Sequence, residues 1–461
     1  MLSAFSDFLW NYVLIVMLVG LGIFFTVRSR FVQFRLFGAA LRSMLGGMQH
    51  DSGRISSFQA LVVSVAGRVG GGNIAGVAVA ITLGGPGAVF WMWLIGLMGM
   101  ATSFFECSLA QLFKRSEPGG NFRGGPAYYM SIGLKKRWMA AVFSVLLLVT
   151  FGFGFNSVQS YMVATSMQAS FGVPTWFTGV VLAVGLGVII FGGIKRIAVV
   201  AEVVVPLMAA CYFIMALIVL ALNITEVPGV LKQIVVAAMG LEQLVGGGFA
   251  AVLMQGVKRG LFSNESGLGS APNVAAVAHV SHPAQQGLVQ ALSVFIDTIV
   301  LCTCTAVIIL LADVYQPGAE GVGGIALTQV ALAEHVGSWG QGFVSIALLF
   351  FAFSSMMYNY YLGENSLNYF SEENQTLFNG FRVLVLLLVL WGSVQDLGTV
   401  FAFADLTMAL LGVVNLAALI MLSGLALRIL RDFEAKRSGG AEPKLDPADW
   451  QDVEIDPQAW R

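Results

Sequence analysis

Apolar residues run along this chain in blocks about as long as a bilayer is thick, separated by short polar stretches. A helix needs roughly 20 residues to cross the hydrocarbon core. On that measure the pattern predicts spans near 8–28, 56–82, 86–113, 138–170, 174–194, 198–222, 243–279, 284–312, 339–370, 376–394 and 399–431. Eleven such helices make an all-α polytopic membrane protein. The first block follows Asp7 and precedes Arg28 and Arg30, the reverse of the charge order in a cleaved signal peptide, so it is read as a true span.

Charge then orients the chain. With the N-terminus outside, the loops 28–54 and 114–137, the turn at Lys195 and Arg196 and the tail after Leu427 all fall inside, and they hold 19 of the 24 Lys and Arg residues. The outside loops hold Lys232 and the acids Asp313, Glu320, Glu334 and Asp396. This is the positive-inside pattern, with the loop at Glu372 and Glu373 running mildly against it. Segment 29–55 alternates Phe31, Phe34, Leu36 and Leu41 with Arg35 and Arg42, as an amphipathic helix on the inner leaflet would. The tail 432–461 turns acidic and Pro-bearing, and reads as solvated and disordered.

Two spans are interrupted in a way that a plain transmembrane helix would not tolerate. Val69-Gly70-Gly71-Gly72-Asn73-Ile74-Ala75-Gly76 breaks the first, and the run from Gly256 to Pro272 breaks the second. Each glycine costs about 1 kcal/mol in a helix interior, so three in a row mark a place where the helix unwinds. Non-helical backbone at membrane depth is tolerated only where it lines a cavity or is buried in protein. Asn73 precedes Pro86 by 13 residues and Gly269 precedes Pro283 by 14, each proline opening the next span. Four spans follow each broken one, giving two five-helix repeats, 56–222 and 243–431, joined by an outside loop at 223–242 and preceded by an extra helix at 1–28. An odd number of spans inverts the second copy, the arrangement in which paired broken helices build a midplane substrate site. Freed N–H groups at a half-helix N-terminus attract a carboxylate, and freed carbonyls attract Na⁺ or an ammonium group. An amino acid zwitterion presents both charges.

Composition narrows the class further. The 461 residues are 57% hydrophobic and only 11% charged, with 54 glycines and a mean hydropathy of +0.82, against about a quarter charged in soluble domains. A net charge of −1 gives no basic footprint for nucleic acid. Cys107, Cys211, Cys302 and Cys304 lie in apolar stretches and read as small packing residues. There is no H-E-x-x-H or G-x-S-x-G motif. The glycines at 119–126 lack the Lys-Ser/Thr of a phosphate cradle, and of the four histidines His50, His279, His282 and His335, the H-x-x-H pair His279 and His282 sits beside Pro283 at a helix end and reads as capping rather than metal binding. An enzyme is therefore not expected, and a passive channel is disfavoured by the inverted repeats.

The stretch SSFQALVVSVAGRVGGGNIAGVAVAITLGGPGAVFWMWLIGLMGMA, with GGPAYYM at 124–130, KRGLFSNESGLGSAP at 258–272 and FAFSSMMYNYYLGEN at 351–365, resembles the alanine/glycine:cation symporter family over about residues 8–431. The resemblance implies the five-plus-five leucine-transporter (amino acid-polyamine-organocation) fold and a plasma-membrane carrier, the cytoplasmic membrane in a bacterium. It implies uptake of small neutral amino acids, alanine, glycine and also serine or glutamine, with Na⁺ as coupling ion and no organic cofactor. The partners expected are that amino acid and the lipid bilayer, with nucleic acid excluded.

Candidate roles follow on that basis. The backbone of Gly70, Gly71 and Gly72 would take the substrate carboxylate, and Asn73 would bond either the substrate or the unwound chain. Phe262 would lie against the substrate, with Ser263, Asn264 and Ser266 lining the polar turn, and Gln159 matches a pocket glutamine of the family. Ser354 and Ser355, which alone would bond back to their own helix, would complete a Na⁺ site with the carbonyls of Ala66 and Val69. Asn359 departs from a tryptophan found in the best-characterised alanine carriers and would enlarge the pocket, admitting serine, asparagine or glutamine. Arg68 departs from a small residue and is expected to pair with Glu106, Glu265, Asp297, Glu364 or Asp405. Lys258 and Arg259 beside Glu265 read as a cytoplasmic-side charge cluster. Proton coupling through Glu106 or Asp405 is the nearest rival to Na⁺ coupling.

Overall fold

The computed structural model describes residues 5–6, 8–48, 54–117, 120–239, 248–315, 324–372, 374–439 and 443–460. Asp7, His50, Gly119, Glu320, Glu373 and the loop end 240–242 lie outside them. Almost everything described is helical: α1 Leu9–Arg28, α2 Phe37–Gly46, α3 Ser57–Arg68, α4 Gly72–Gly84, α5 Gly87–Leu112, α6 Arg137–Phe171, α7 Thr175–Ile190, α8 Gly193–Leu222, α9 Val227–Ala238, α10 Gly248–Asn264, α11 Ala271–Ala275, α12 Pro283–Leu310, α13 Ile325–Val336, α14 Trp339–Phe370, α15 Gln375–Ser393 and α16 Leu397–Ser438. A two-stranded antiparallel ribbon joins β1 Arg115–Ser116 to β2 Phe122–Arg123.

Among the described residues, eight helices are long and apolar enough to cross a bilayer: α1, α5, α6, α8, α12, α14, α15 and all but the first residue of α16. The pair α3 and α4 passes the same test only when joined, and it bends by 52° at its break. The predicted span 174–194 is the 16-residue α7. The span 243–279 is the 17-residue α10 followed by the single turn of α11. Two shorter apolar helices, α9 and α13, occupy stretches read as loops.

Local chemistry sets several helix ends. Ser56 and Gln59 form a reciprocal capping box at the start of α3, and His282 and Gln285 form another, with Pro283, at the start of α12. Such boxes satisfy amides that have no partner within the helix. Asp396 caps α16 by accepting from the Thr399 amide at 3.0 Å.

Helix α5 is the central post. It packs against α12 on one side and α10 on the other, with α1 and α9 also touching it. Helix α14 holds α3, α6 and α13. Outward-facing Val180, Val184, Val188, Val199, Val203 and Leu207 on α7 and α8 are exposed, an apolar belt that water would not favour and lipid would.

The second interruption is shorter than the sequence suggests. Helix α10 runs unbroken through Gly256 and Gly260 to Asn264. A Cβ at Gly256 would stand 2.6 Å from the Ala88 carbonyl, and one at Gly260 would stand 3.3 Å from Met92 Cα. Those two glycines let α10 press against α5. The helix breaks only at Glu265 (φ 54°), and the break continues through Gly267 (φ 86°) and Gly269 (φ 79°).

The tail also differs from expectation. Helix α16 continues to Ser438, and residues 443–460 fold back onto the face carrying the Arg-rich loops. Leu445 donates its amide to the Ser281 carbonyl at 2.9 Å. Trp450 is 1% exposed beneath the Arg428 guanidinium, 4.3 Å from its ring, and Asp456 accepts from the Ser116 amide at 2.8 Å. An acidic composition hid three apolar anchors, Leu445, Trp450 and Ala459, that have somewhere to go.

Candidate functional site

Three wide, π-type turns surround the first break: Gly72–Gly76 at the start of α4, Leu148–Phe155 in α6 and Phe295–Leu301 in α12. Such turns re-aim side chains and are frequent at functional sites. Helix α3 makes its last regular bond from the Val69 amide to the Val65 carbonyl at 2.8 Å, and the helix restarts at Gly72.

The Gly70 amide donates to Asn73 Oδ1 at 3.0 Å and the Gly71 amide donates to Gln159 Oε1, also at 3.0 Å. Two amides at the break are thus held by side-chain oxygens, the acceptors a carboxylate would replace. The triple glycine also has a steric reason: a Cβ at Gly70 would overlap Ser355 Oγ, one at Gly71 would overlap Met162 Sδ, and one at Gly72 would sit 3.1 Å from the Phe262 ring.

Asn73 takes the role of bracing the unwound chain. Its amide nitrogen donates to Asp297 Oδ1 at 2.6 Å, and its own carbonyl accepts from Thr305 Oγ1, again at 2.6 Å. Ser263 and Thr298 donate to the other oxygen of Asp297, each at 2.7 Å. Asp297 therefore ties both broken helices to α12. Sequence reasoning named it only as a partner for Arg68; a lone acid in an apolar span was the signal that could have raised it.

Phe262 is 3% exposed and stacks on Phe155 with ring centroids 5.0 Å apart; Phe401 lies 5.7 Å away on its other side. Asn264 and Ser266 do not turn toward the glycines. They line a small cavity with Leu18 of α1 and Ile95, Met98, Gly99 and Thr102 of α5. Asn264 Oδ1 accepts the Ser266 amide at 3.0 Å, a local turn.

On the far side of the break, Ser354 Oγ lies 3.2 Å from the Ala66 carbonyl. Ser355 Oγ lies 3.1 Å from Ala66 O, 3.1 Å from Gly67 O and 3.5 Å from Val69 O, and also 3.0 Å from Phe351 O on its own helix. One hydroxyl proton faces four acceptors. That surplus of neutral oxygens at the carbonyl end of α3 suits a hard cation. The Gly67 carbonyl was not foreseen, because a carbonyl carries no side-chain signature. One turn further along α14, Asn359 is 1% exposed, and neither its oxygen nor its nitrogen has a hydrogen-bond partner among the described residues.

The expected ion pair of Arg68 is not formed. Buried at 2% exposure, it donates to the Gln290 carbonyl at 3.2 Å, to Ser103 Oγ at 3.0 Å and to Ser293 Oγ. Among the described residues no carboxylate oxygen lies within 4 Å of it. The five acids are engaged elsewhere. Glu106 accepts from Asn415 and the Gly267 amide at 3.1 and 3.2 Å, and Glu265 accepts from Ser270 at 2.6 Å. Asp297 holds the breaks, and Glu364 lies 3.5 Å from Arg382.

Asp405 meets Lys258 at 2.5 Å and Arg259 at 3.6 Å, which corrects the expected grouping of those cations with Glu265. This cluster sits beside Trp10, whose indole donates to the Asp405 carbonyl at 3.1 Å. It therefore lies toward the N-terminal end of α1, opposite the Arg-rich loops. The Arg259 guanidinium stands over the Phe262 and Phe401 rings at 5.9 and 5.4 Å, so cations and aromatics together cap the site on that side.

Comparison with known proteins places the chain in a family and a fold. Residues 1–447 match the sodium:alanine symporter family. The chain is 47% identical over 439 residues to the probable sodium/glutamine symporter GlnT of Bacillus subtilis, covering 95% of this chain and 91% of that one. It is also 47% identical to the amino-acid carrier protein AlsT of the same organism, covering 95% and 92%. Among solved structures, MhsT in complex with L-phenylalanine superposes with a TM-score of 0.60 at 14% identity, over 83% of this chain and 93% of that one, which shows a shared fold.

Proposed function

The chain belongs to the sodium:alanine symporter family, a multi-pass membrane protein whose relatives include proteins named as sodium-coupled amino acid symporters, and from that premise we propose that it imports small neutral amino acids, glutamine among them, by alternating access. The observation that carries the reading is the oxygen cage of Ala66, Gly67, Val69, Ser354 and Ser355 lying directly beside the Gly70–Gly72 break. One side of the break offers carbonyls to Na⁺ and the other offers amides to a carboxylate, so ion and substrate would be held by the same unwound segment.

In this reading Gly70, Gly71 and Gly72 take the substrate carboxylate, displacing the Gln159 oxygen, while Asn73 and Ser263 are positioned by Asp297. Phe262 closes over the substrate. The unpartnered amide of Asn359 supplies both a donor and an acceptor, the complement of a side-chain amide, and a buried amide without a partner is costly. That favours glutamine or asparagine as substrates beside alanine, glycine and serine, as the name of the Bacillus subtilis relative would suggest.

The eleven-span, five-plus-five arrangement with an outside N-terminus and a cytoplasmic C-terminus belongs to the same proposal. It makes α3 the inner half of the first broken helix and the Lys258–Arg259–Asp405 cluster part of an outer closure. Transport assays with an imposed Na⁺ or pH gradient test the reading. Accumulation that followed the pH gradient alone would assign coupling to Glu106 or Asp405 instead of the cage.

A further inference from the structure

A cavity of about 580 Å³ opens on the face carrying the Arg-rich loops, between α2, the start of α3, the segment leading into α12 and the end of α16. Its wall carries Arg42, Arg54, Arg437 and His279, and no carboxylate among the described residues. Arg54 donates to His279 Nε2 at 2.8 Å. Arg42 and Arg437 are exposed and make no ion pair among the described residues. Neighbouring cations on the same helices or adjoining turns do pair: Arg35 with Glu434, Lys436 with Asp432 and Asp449. Two of the three arginines on this cavity wall are thus left without an ion pair among the described residues.

We propose that the cavity seats the phosphate headgroup of an anionic membrane lipid. Depth argues for a lipid over a soluble anion. Helix α2 buries Ala39 and Ala40 against the protein while Leu41 and Leu45, with Met48 just beyond, stand exposed; an amphipathic helix with such a stripe lies at the boundary of acyl chains and headgroups. The same helix contributes Arg42 to the cavity, so the cationic wall stands at headgroup level. Basic pockets between membrane helices on the inner side take anionic headgroups by this logic.

The position gives the lipid a purpose. Ser56, which caps α3, and Ser57, its first residue, line the cavity, and the Ile55 carbonyl accepts the His279 amide at 2.9 Å. A phosphate bridging Arg42, Arg54 and Arg437 would tie α2 and α16 to the base of the half-helix that carries the Ala66, Gly67 and Val69 carbonyls.

The test is thermal unfolding of the purified full chain in neutral detergent with phosphatidylglycerol, phosphatidylcholine or inorganic phosphate. Phosphatidylglycerol should raise the unfolding temperature of the wild type above phosphatidylcholine, and 0.5 M salt should remove most of the difference, since screening lengths are short there. Basic residues near an anionic surface contribute about 1 kcal/mol each, close to fivefold in affinity. R42Q/R437Q should therefore need roughly 25-fold more phosphatidylglycerol for the same shift while unfolding as the wild type does in phosphatidylcholine. The single exposed change R437E serves if the double variant folds poorly. Equal response to both lipids, or an undiminished phosphatidylglycerol response in the variants, overturns the proposal, as does inorganic phosphate reproducing the whole effect.

Discussion

Ser355→Ala removes one hydroxyl from the carbonyl cage and little else. The hydroxyl lies 3.1 Å from Ala66 O, 3.1 Å from Gly67 O and 3.5 Å from Val69 O, and the side chain is fully buried. An oxygen bonded to a charged partner is worth about 1.5–3 kcal/mol, which is about 10- to 150-fold in Na⁺ affinity. Without the ion the change should cost the fold about 1 kcal/mol, because a hydroxyl facing several acceptors can satisfy only one of them. The assay is the Na⁺ dependence of labelled substrate uptake in proteoliposomes, with Ser366→Ala as the control. Ser366 lies further along α14 and, among the described residues, bonds only to the Leu362 carbonyl of its own helix, at 2.9 Å. The expected result is half-saturation at 10-fold or more higher Na⁺ for S355A, no change for S366A, and substrate affinity recovered at saturating Na⁺. An S355A curve that overlays the wild type would refute the cage as the ion site.

Three further outcomes follow from the geometry. Asn359→Trp, filling the space beside the unpartnered amide, should abolish glutamine uptake while sparing alanine, as competition against labelled alanine would show. Asp405→Lys should cut uptake at least 10-fold by placing three cations together beside Phe262, and Lys258→Asp combined with Asp405→Lys should restore part of it if the pair is a closure; absence of any rescue would make it a packing contact. At the inner face Lys114 lies fully buried between the rings of Phe122 and Trp460, 4.2 Å from each. Burial pushes its amine down to about 7, with Asp456 pulling the other way. The undocked amine would titrate near its ordinary 10.5 and hold more protons over that window, so docking of the tail should strengthen as pH rises from about 7 to about 10.5. Protease sensitivity of the tail should fall across that range in the wild type and stay flat in Lys114→Met.

The features legible in the sequence were those that glycine and hydroxyl side chains announce. Three adjacent glycines in an apolar run mark a break, and Ser354 and Ser355 were placed against Ala66 and Val69 by resemblance; Ser354 lies within hydrogen-bond reach of Ala66, and Ser355 of both, in the fold. What escaped was set by tertiary contact. Gly256 and Gly260 carry the same letter as Gly267 and Gly269, yet the first two pack an unbroken helix and the last two take left-handed backbone where it breaks; only the neighbouring backbone of α5 tells them apart. Arg68 reads as half of an ion pair until Gln290, Ser293 and Ser103 are seen to accept from its two terminal nitrogens. Asp297 gains its meaning from Asn73 and Ser263, 224 and 34 residues away along the chain. The tail misled because three apolar residues spread over 445–459 leave no periodic signal, although each finds a buried seat.

The most direct test of the central claim is uptake of labelled alanine and glutamine by the purified protein in proteoliposomes, with an inward Na⁺ gradient or an inward proton gradient imposed separately. The account predicts accumulation above the outside concentration with the Na⁺ gradient, collapse when Na⁺ is equal on both sides, and none with the proton gradient alone. Accumulation driven by protons in the absence of Na⁺ would contradict it.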